Sequence, residues 1–415
     1  MALSVAYLCV SALGALWTLI GLWPPRGPRI GTIGFVLAWF EDEAPLHQIA
    51  WQVGGSVGFA LGGALEHAPG EAGLALNMAS WIALLGLFAS GLRSKRAFER
   101  GGITLARRRV GPLRYLILVP VRRRTTLRAK DIDYSGENLP LRRLDVYYPR
   151  ESVTRAPVML YIHGGAWVFG SRREQGLVLV DELVSSGWVV VSIDYPLSPK
   201  ARWPEHIEAC QQALTWVVKN IERWGGDPGR IAVSGGSAGG HLASLLALGS
   251  KEVRACVGLY GVYEILPGTG PSGYRAGAYE ENLADLFERF VIQTSRGSSP
   301  ELFERASPIR QLVGAGSTSS SEQPLTTERD PGSPGEGLCD FLLVHGQHDT
   351  LVPVAQARAF HSALVSCGAR STLVELPWAE HAFDVFFSPR AATTAKAIRA
   401  WLESVPGLVS EGSGR

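Results

Sequence analysis

The sequence predicts an α/β fold, a mostly parallel sheet covered by helices on both faces, carried behind an apolar helical region. Three observations predict it. Short apolar runs alternate with segments of helical spacing from about residue 131 to 410. One of those runs passes through Gly235-Gly236-Ser237-Ala238-Gly239-Gly240 directly into a helical pattern. The apolar excess, in a chain that is 46% hydrophobic, is concentrated at the N-terminus, in runs long enough to cross a bilayer.

Residues 1–95 form the predicted transmembrane helical region. Residues 3–23 are an uncharged apolar run, long enough to span as a helix. Residues 73–92 are a second, with Asn77 its only polar amide, and it ends on Arg93-Ser94-Lys95-Arg96. Between them, residues 46–65 are Gly-rich and contain His47, Gln48 and Gln52. That stretch is marginal as a span, but its small residues permit close helix packing. Residues 30–40 are short for a span and fit a re-entrant or interfacial piece. A signal peptide would need a basic leader and a shorter apolar run. A buried helical subdomain is the competing reading, and length and clustering favour the membrane. With three spans, Arg26 and Arg29 follow the first, Glu66 and Glu71 precede the third, and Arg93, Lys95, Arg96 and Arg100 follow it. The positive-inside rule then favours a multi-pass membrane protein with its large C-terminal domain in the cytoplasm, whereas a further crossing at residues 30–40 would face that domain outward.

Residues 96–130 are a basic connector, with Arg107-Arg108-Arg109, Arg114, Arg122-Arg123-Arg124, Arg128 and Lys130 around the apolar stretch 113–119. A solvated linker is one reading. A basic amphipathic segment resting on anionic membrane lipid is the other, and the neighbouring membrane region favours it. Nucleic acid is excluded as a partner, because aromatic interleaving is absent and the net charge of the chain is only +2.

The domain at residues 131–410 opens with the strand 144–148, ended by Pro149. Residues 158–162 and 188–193 are continuous apolar runs, as in strands buried on both faces. Residues 207–224 carry Ala213, Leu214, Val217, Val218 and Ile221 on one helical face. Strands follow at 231–233, 255–260, 341–344 and 371–376, and a helix at 391–402 closes the pattern. Strand and helix in alternation argue for the parallel sheet.

Three motifs and one Gly-Gly loop carry chemistry. The first is the turn at Ser237, which lifts a hydroxyl clear of the sheet and points the following helix N-terminus at any oxyanion formed there. Side chains two residues either side would collide, so Gly235 and Gly239 have none. Ahead of it, His163-Gly164-Gly165-Ala166-Trp167 follows a buried strand directly. A Gly-Gly turn leaves backbone amides unshielded, and with the N–H of Ala238 it can cradle a tetrahedral oxyanion. His163 is read as holding that loop. The second is His345-Gly346-Gln347-His348-Asp349 after the strand 341–344. Asp349 lies at the sheet edge where open α/β sheets place their sites, and can orient a histidine. Asp340 precedes its strand and lies at the opposite edge. No open cluster of three metal ligands is evident, so neither metal nor cofactor is expected. The third is Glu380-His381-Ala382-Phe383. One helix and one strand fit between Asp349 and His381, which returns His381 to the same edge as a general base.

Together these motifs resemble the hormone-sensitive-lipase-like carboxylesterases of the α/β-hydrolase superfamily, over about residues 130–405. The membrane block ahead of them is similar to membrane-linked esterases and lipases of actinobacterial type. The resemblance implies a serine esterase with Ser237, Asp349 and His381 as its triad and Gly164, Gly165, Ala166 and Ala238 at its oxyanion region. Two positions depart from the family pattern. Ala166 replaces a third glycine and adds a methyl group beside the acyl pocket. Gly236 stands where the family has Asp, Glu or Thr, so an outer hydrogen-bond partner is missing. His-Gly-Gly-x-Trp also resembles arylformamidases and prenylcysteine methylesterases, so an amidase, formamidase or methylesterase stays open, as does a hydrolase-fold binding protein without catalysis.

Two inserts complete the domain. Residues 264–312 fall where this fold carries a cap, and are assigned to substrate selection. Residues 314–337, rich in Ser, Gly, Pro and Glu, read as a disordered surface loop. Cys9, Cys210, Cys256, Cys339 and Cys367 lack metal or disulfide spacing and are read as buried reduced thiols. The expected partner is a lipophilic ester that the membrane concentrates.

Overall fold

The computed structural model describes residues 1–25, 31–105, 111–120, 125–266, 268–269, 275–276, 278–314 and 337–409. Four helices come first: α1 (Ala2–Leu22), α2 (Gly31–Glu43), α3 (Pro45–Leu61) and α4 (Ala68–Arg100). Helices α1 and α4 are long and apolar enough to cross a membrane. Helix α3 has 17 residues, a length of about 26 Å at the usual rise per residue.

Their packing draws many polar side chains inside, beside Leu84 and Leu87, and turns other apolar ones outward. Ser4, Ser11, Thr18, Asn77 and Ser80 are buried, whereas Leu13, Leu16, Ile82 and Leu85 are exposed. Tyr7 donates its hydroxyl proton to Ser56 Oγ at 2.8 Å, and Asn77 Nδ2 donates to Ser56 Oγ at 2.9 Å and to the Tyr7 hydroxyl at 3.2 Å. Small residues allow the close approach. A Cβ on Gly73 would lie 3.2 Å from Leu8 Cα, and one on Gly21 would lie 3.6 Å from Leu87. Those two contacts advance along α1 and α4 together, so the helices run parallel. Helix α3 runs against both: Gly62 meets Leu3, Ser56 meets Tyr7, and Gln52 meets Gly14.

The sheet follows. Its strands are β1 (Thr126–Asp133), β2 (Arg143–Pro149), β3 (Ala156–Ile162), β4 (Val189–Ile193), β5 (Gly226–Gly236), β6 (Val253–Leu259), β9 (Asp340–Gly346) and β10 (Ser371–Leu376). A separate two-residue pair, β7 (Gly268–Thr269) and β8 (Arg275–Ala276), lies in the insert. The order is β1-β2-β4-β3-β5-β6-β9-β10. Strand β2 is antiparallel to both its neighbours and every later pair is parallel. Alternation along β3 shows how one strand serves two cores. Val158, Leu160 and Ile162 join the cluster under α6 (Glu205–Asn220), α7 (Ala238–Gly249) and α11 (Val354–Ser366), while Met159 and Tyr161 join the one under α5 (Leu177–Val184) and α12 (Pro389–Glu403).

The structure departs from the sequence reading in several places. Strand β1 was not anticipated: its Thr-Leu-Arg-Ala-Lys-Asp-Ile-Asp text is that of a polar edge strand. The helix expected at 207–224 ends at Asn220 and tightens into a 3₁₀ turn, Ile221–Trp224. Cys9 is exposed on α1 and Cys367 is only partly covered, while Cys210, Cys256 and Cys339 are buried. In the connector, Arg114 lies 3.7 Å over the Phe387 ring, Tyr115 stacks on Phe387, and the Leu118 carbonyl accepts from the Phe387 N–H. That stretch packs on protein, although Leu116, Ile117 and Val119 stay exposed. Arg107, Arg108, Arg109, Arg122, Arg123 and Arg124 lie outside the described residues, as do residues 315–336 of the expected loop. The insert is helical, with α8 (Ala278–Leu286), a π turn at Phe287–Val291, α9 (Pro300–Ala306) and α10 (Pro308–Gly314).

The N-terminal helices are docked on the domain. Glu43, at the end of α2, pairs with Arg390 in the first turn of α12 and accepts from Ser388, and Arg390 also donates to Ser90 of α4 at 3.1 Å. Glu43 and Arg390 are both almost fully buried. Replacing Arg390 by Ala leaves a buried carboxylate without its partner, and the expected cost is about 3–5 kcal/mol. Thermal unfolding in detergent reads it as a lower midpoint. The double variant Glu43→Gln/Arg390→Met, which buries no lone charge, recovers most of the loss.

Candidate active site

Ser237 sits where β5 turns into α7, at φ +56° and ψ −121°. A side chain in that region costs about 1–3 kcal/mol and persists only where its surroundings hold it. Here the Ser237 N–H donates to the Leu259 carbonyl at 2.9 Å, and its carbonyl accepts from the His241 N–H at 3.0 Å. A Cβ on Gly235 would stand 2.5 Å from the Ile162 carbonyl oxygen, and one on Gly239 only 2.1 Å from it. The end of β3 is therefore pressed against the turn.

That contact brings the loop after β3 beside the serine. A Cβ on Gly164 would lie 3.2 Å from Ser237 Cβ. Gly165, Ala166 and Trp167 all have positive φ, at +115°, +50° and +62°. The turn closes on the Gly165 carbonyl, which accepts from the N–H groups of Val168 and Phe169 at 3.0 Å. The Gly164 N–H is engaged elsewhere: it donates to Gln175 Oε1 at 2.7 Å. His163 is buried, stacks on Tyr195 at 4.5 Å and contacts the Gly164 carbonyl through Nδ1 at 2.7 Å. Its imidazole is held below the usual pKa, chiefly by burial.

Strands β9 and β10 are parallel neighbours in register, Glu375 with His345 and Leu376 with Gly346, so their C-terminal loops meet. The His348 N–H donates to the Ala379 carbonyl at 3.0 Å and the Thr350 N–H to Glu380 Oε1 at 2.6 Å. Between these loops His381 Nδ1 lies 2.8 Å from Asp349 Oδ2. Asp349 Oδ1 accepts from the N–H groups of Leu351 and Val352 at 3.0 and 2.7 Å. Burial opposes the Asp349 charge, but His381, His345 and the hydrogen bonds outweigh it, and the carboxyl stays well below its usual pKa. His345 is committed to Asp349 at 3.1 Å and to the Val352 carbonyl at 2.8 Å, and the His348 ring lies against Trp378. Among the described residues no group of three or more His, Cys, Asp or Glu is arranged to hold a metal ion.

Residues to which the sequence motifs assign no role complete the site. Tyr260, just past β6, puts its ring 4.6 Å from that of His381 and hydrogen-bonds to Asp384. A Cβ on Gly236 would come within 2.4 Å of the Tyr260 hydroxyl oxygen. The missing acid before the serine is thus explained: its space is filled by an aromatic ring that also touches the histidine. Burial pushes Asp384 up to about 6. Glu380, whose Oε1 also accepts from the His381 N–H at 2.8 Å, is pushed to about 8 by burial and by the Asp349 charge. Phe35 on α2 also reaches the site, its ring meeting His381 edge-on at 5.9 Å. The unusual Gly236 was the sequence signal for Tyr260, and Phe35 had none.

Comparison with known proteins agrees with this architecture. The family described as BD-FAE matches residues 144–313. Esterase LipQ of Mycobacterium tuberculosis is 32% identical over 399 residues, covering 90% of this chain and 85% of the relative. Esterase LipC of the same organism is 36% identical over 283 residues, covering 64% of this chain and 63% of the relative. Among solved structures, a fungal esterase from Rhizomucor miehei superimposes with a TM-score of 0.53 at 21% identity, over 76% of this chain and 89% of that one, and shares the fold.

Two outcomes follow from the packing and charge of the site. Gly236→Ala drives a methyl group into the Tyr260 ring and lowers stability by about 1–3 kcal/mol, read by thermal unfolding. Gly54→Ala on α3, where an added Cβ meets nothing within 4 Å, serves as the control and causes no loss. Glu380 is neutral in the folded state up to about pH 8, whereas in the unfolded chain it ionises near its ordinary value of 4.5. The folded state binds the extra proton between those values, so stability falls as pH rises through that window. Unfolding midpoints at pH 5.5 and 8 should differ less in Glu380→Gln than in the parent.

Proposed function

The chain belongs to the hormone-sensitive-lipase-like carboxylesterases of the α/β-hydrolase fold, and from that premise we propose that it hydrolyses lipophilic esters at a membrane through an acyl-enzyme on Ser237. The observation that carries this reading is the 2.8 Å contact between His381 Nδ1 and Asp349 Oδ2, at the same sheet edge as the Ser237 turn. With Nδ1 held by the carboxylate, Nε2 is the nitrogen free to take a proton from the serine.

In the first half, Ser237 Oγ attacks the ester carbonyl carbon while its proton passes to His381 Nε2. Asp349 keeps the ring oriented and balances the imidazolium. The tetrahedral oxyanion accepts hydrogen bonds from the backbone N–H of Ala238 and from the Gly165-Ala166 turn, at the N-terminus of α7. Gly164 takes a supporting part, since Gln175 occupies its N–H. Each such donor is worth about 3 kcal/mol in the transition state. The carbonyl re-forms, the C–O bond to the alcohol breaks, and His381 gives that oxygen its proton. Water then attacks the acyl-enzyme, passes a proton to His381, and the acid leaves as Ser237 recovers its own.

Membrane residence is supported by the inverted packing of the first helices, with apolar side chains outward and hydroxyls inward. If α1 and α4 both cross, their parallel course requires the chain to cross back between them, and α3 is the segment that runs the other way. Three crossings result. The Arg93, Lys95, Arg96 and Arg100 cluster then sits beside the hydrolase domain, which favours the cytoplasmic side.

Replacing Ser237 by Ala is expected to lower kcat/KM on p-nitrophenyl butyrate by at least about 10³-fold and to abolish labelling by a fluorophosphonate probe. Asp349→Asn is expected to cost about 10⁴-fold in kcat. Hydrolysis undiminished in Ser237→Ala would overturn the reading.

A further inference from the structure

We propose that Phe35, on the short helix α2 of the N-terminal region, is a specificity-determining residue for the alcohol half of the ester. The inference rests on the reading of His381 as the group that protonates the leaving alcohol.

Its basis is where α2 is anchored. The Trp39 indole N–H donates to the Ala382 carbonyl at 2.9 Å, one residue beyond His381. Trp39 stacks on Phe386 at 4.5 Å and on Phe35 at 5.5 Å. At the C-terminal end of the helix, Glu43 is paired with Arg390 and Ser388. Phe35 is thereby fixed edge-on against the His381 ring, yet it is not fully buried.

The chemistry decides which half of the substrate meets this ring. A proton can reach the alkoxide only if the alcohol oxygen lies within hydrogen-bond reach of His381. The first carbons of the alcohol therefore lie beside the imidazole, and the acyl chain leaves the carbonyl in the other direction. A phenyl ring on that imidazole neighbours the alcohol. It gives an alkyl or aryl alcohol an apolar wall, and each methylene covered is worth about fourfold in kcat/KM. Once the alcohol has departed, Phe35 has nothing left to contact, so hydrolysis of the acyl-enzyme is indifferent to it.

Full-length protein in detergent tests this with two ester series. Alkyl acetates from ethyl to octyl vary the alcohol, and p-nitrophenyl esters from acetate to decanoate vary the acyl chain. In Phe35→Ala the gain in kcat/KM with alcohol length should flatten, with a loss of about 5- to 20-fold on octyl acetate seen mainly in KM. The shape of the acyl-length profile should stay as in the parent. Phe35→Leu should recover much of the loss, Val36→Ala should match the parent, and fluorophosphonate labelling should persist in all three. An unchanged alcohol profile in Phe35→Ala, or an equal change of shape in both series, overturns the proposal. If Ser237→Ala also remains active, the acyl-enzyme reading falls with it; if Ser237→Ala is inert, only the role of Phe35 falls.

Discussion

The turn at Ser237 is the constraint on which the rest of the site depends. Its backbone is held in a region that side chains avoid, and only close packing keeps it there. The Ile162 carbonyl, pressed into the gap between Gly235 and Gly239, supplies part of that packing. In doing so it ties the end of β3 to the turn, and the Gly164–Gly165 corner has no other place to run. Leu259, at the end of β6, holds the Ser237 N–H, and this carries Tyr260 under the site. One strained residue thus draws the ends of three adjacent strands to a point. The neighbouring pair β9 and β10 brings its own contact, with Asp349 and His381 joined where their loops cross.

The N-terminal helices share in that arrangement. Ser90, Glu43, Ser388 and Arg390 form one buried polar knot across α4, α2 and α12. Because α2 is caught in it, an aromatic side chain from outside the sheet-and-helix domain reaches the histidine. The folded unit therefore does not begin where the sheet begins. A fragment starting near β1 would keep the serine, the acid and the histidine, but would uncover one side of the imidazole and leave Arg390 without its carboxylate.

Much of this was legible in the sequence, and the legible parts share a cause. Ser237 and Asp349 follow strands whose apolar text is continuous, because those strands are buried on both faces, whereas His381 follows β10, a half-exposed strand at the edge of the sheet. A residue placed directly after such a strand has a known sheet edge. The long apolar helices were legible by length, although α4 runs on to Arg100, past its last apolar stretch, because Ala97 and Phe98 near its end join the core cluster of the sheet domain. What stayed hidden depends on distant contacts. Trp39 and Ala382 meet across 343 positions of chain, and no local pattern announces that. Gln175 is an ordinary polar residue in the text until its amide oxygen is seen to hold Gly164. Strand β1 carries too many charges to be read as a strand, which is what an edge requires.

Gly236 and Tyr260 occupy one volume between them. A side chain at position 236 needs the space that the Tyr260 ring fills, so the two positions behave as a single two-letter word. Neither letter can be rewritten alone without a clash or a void beneath the histidine.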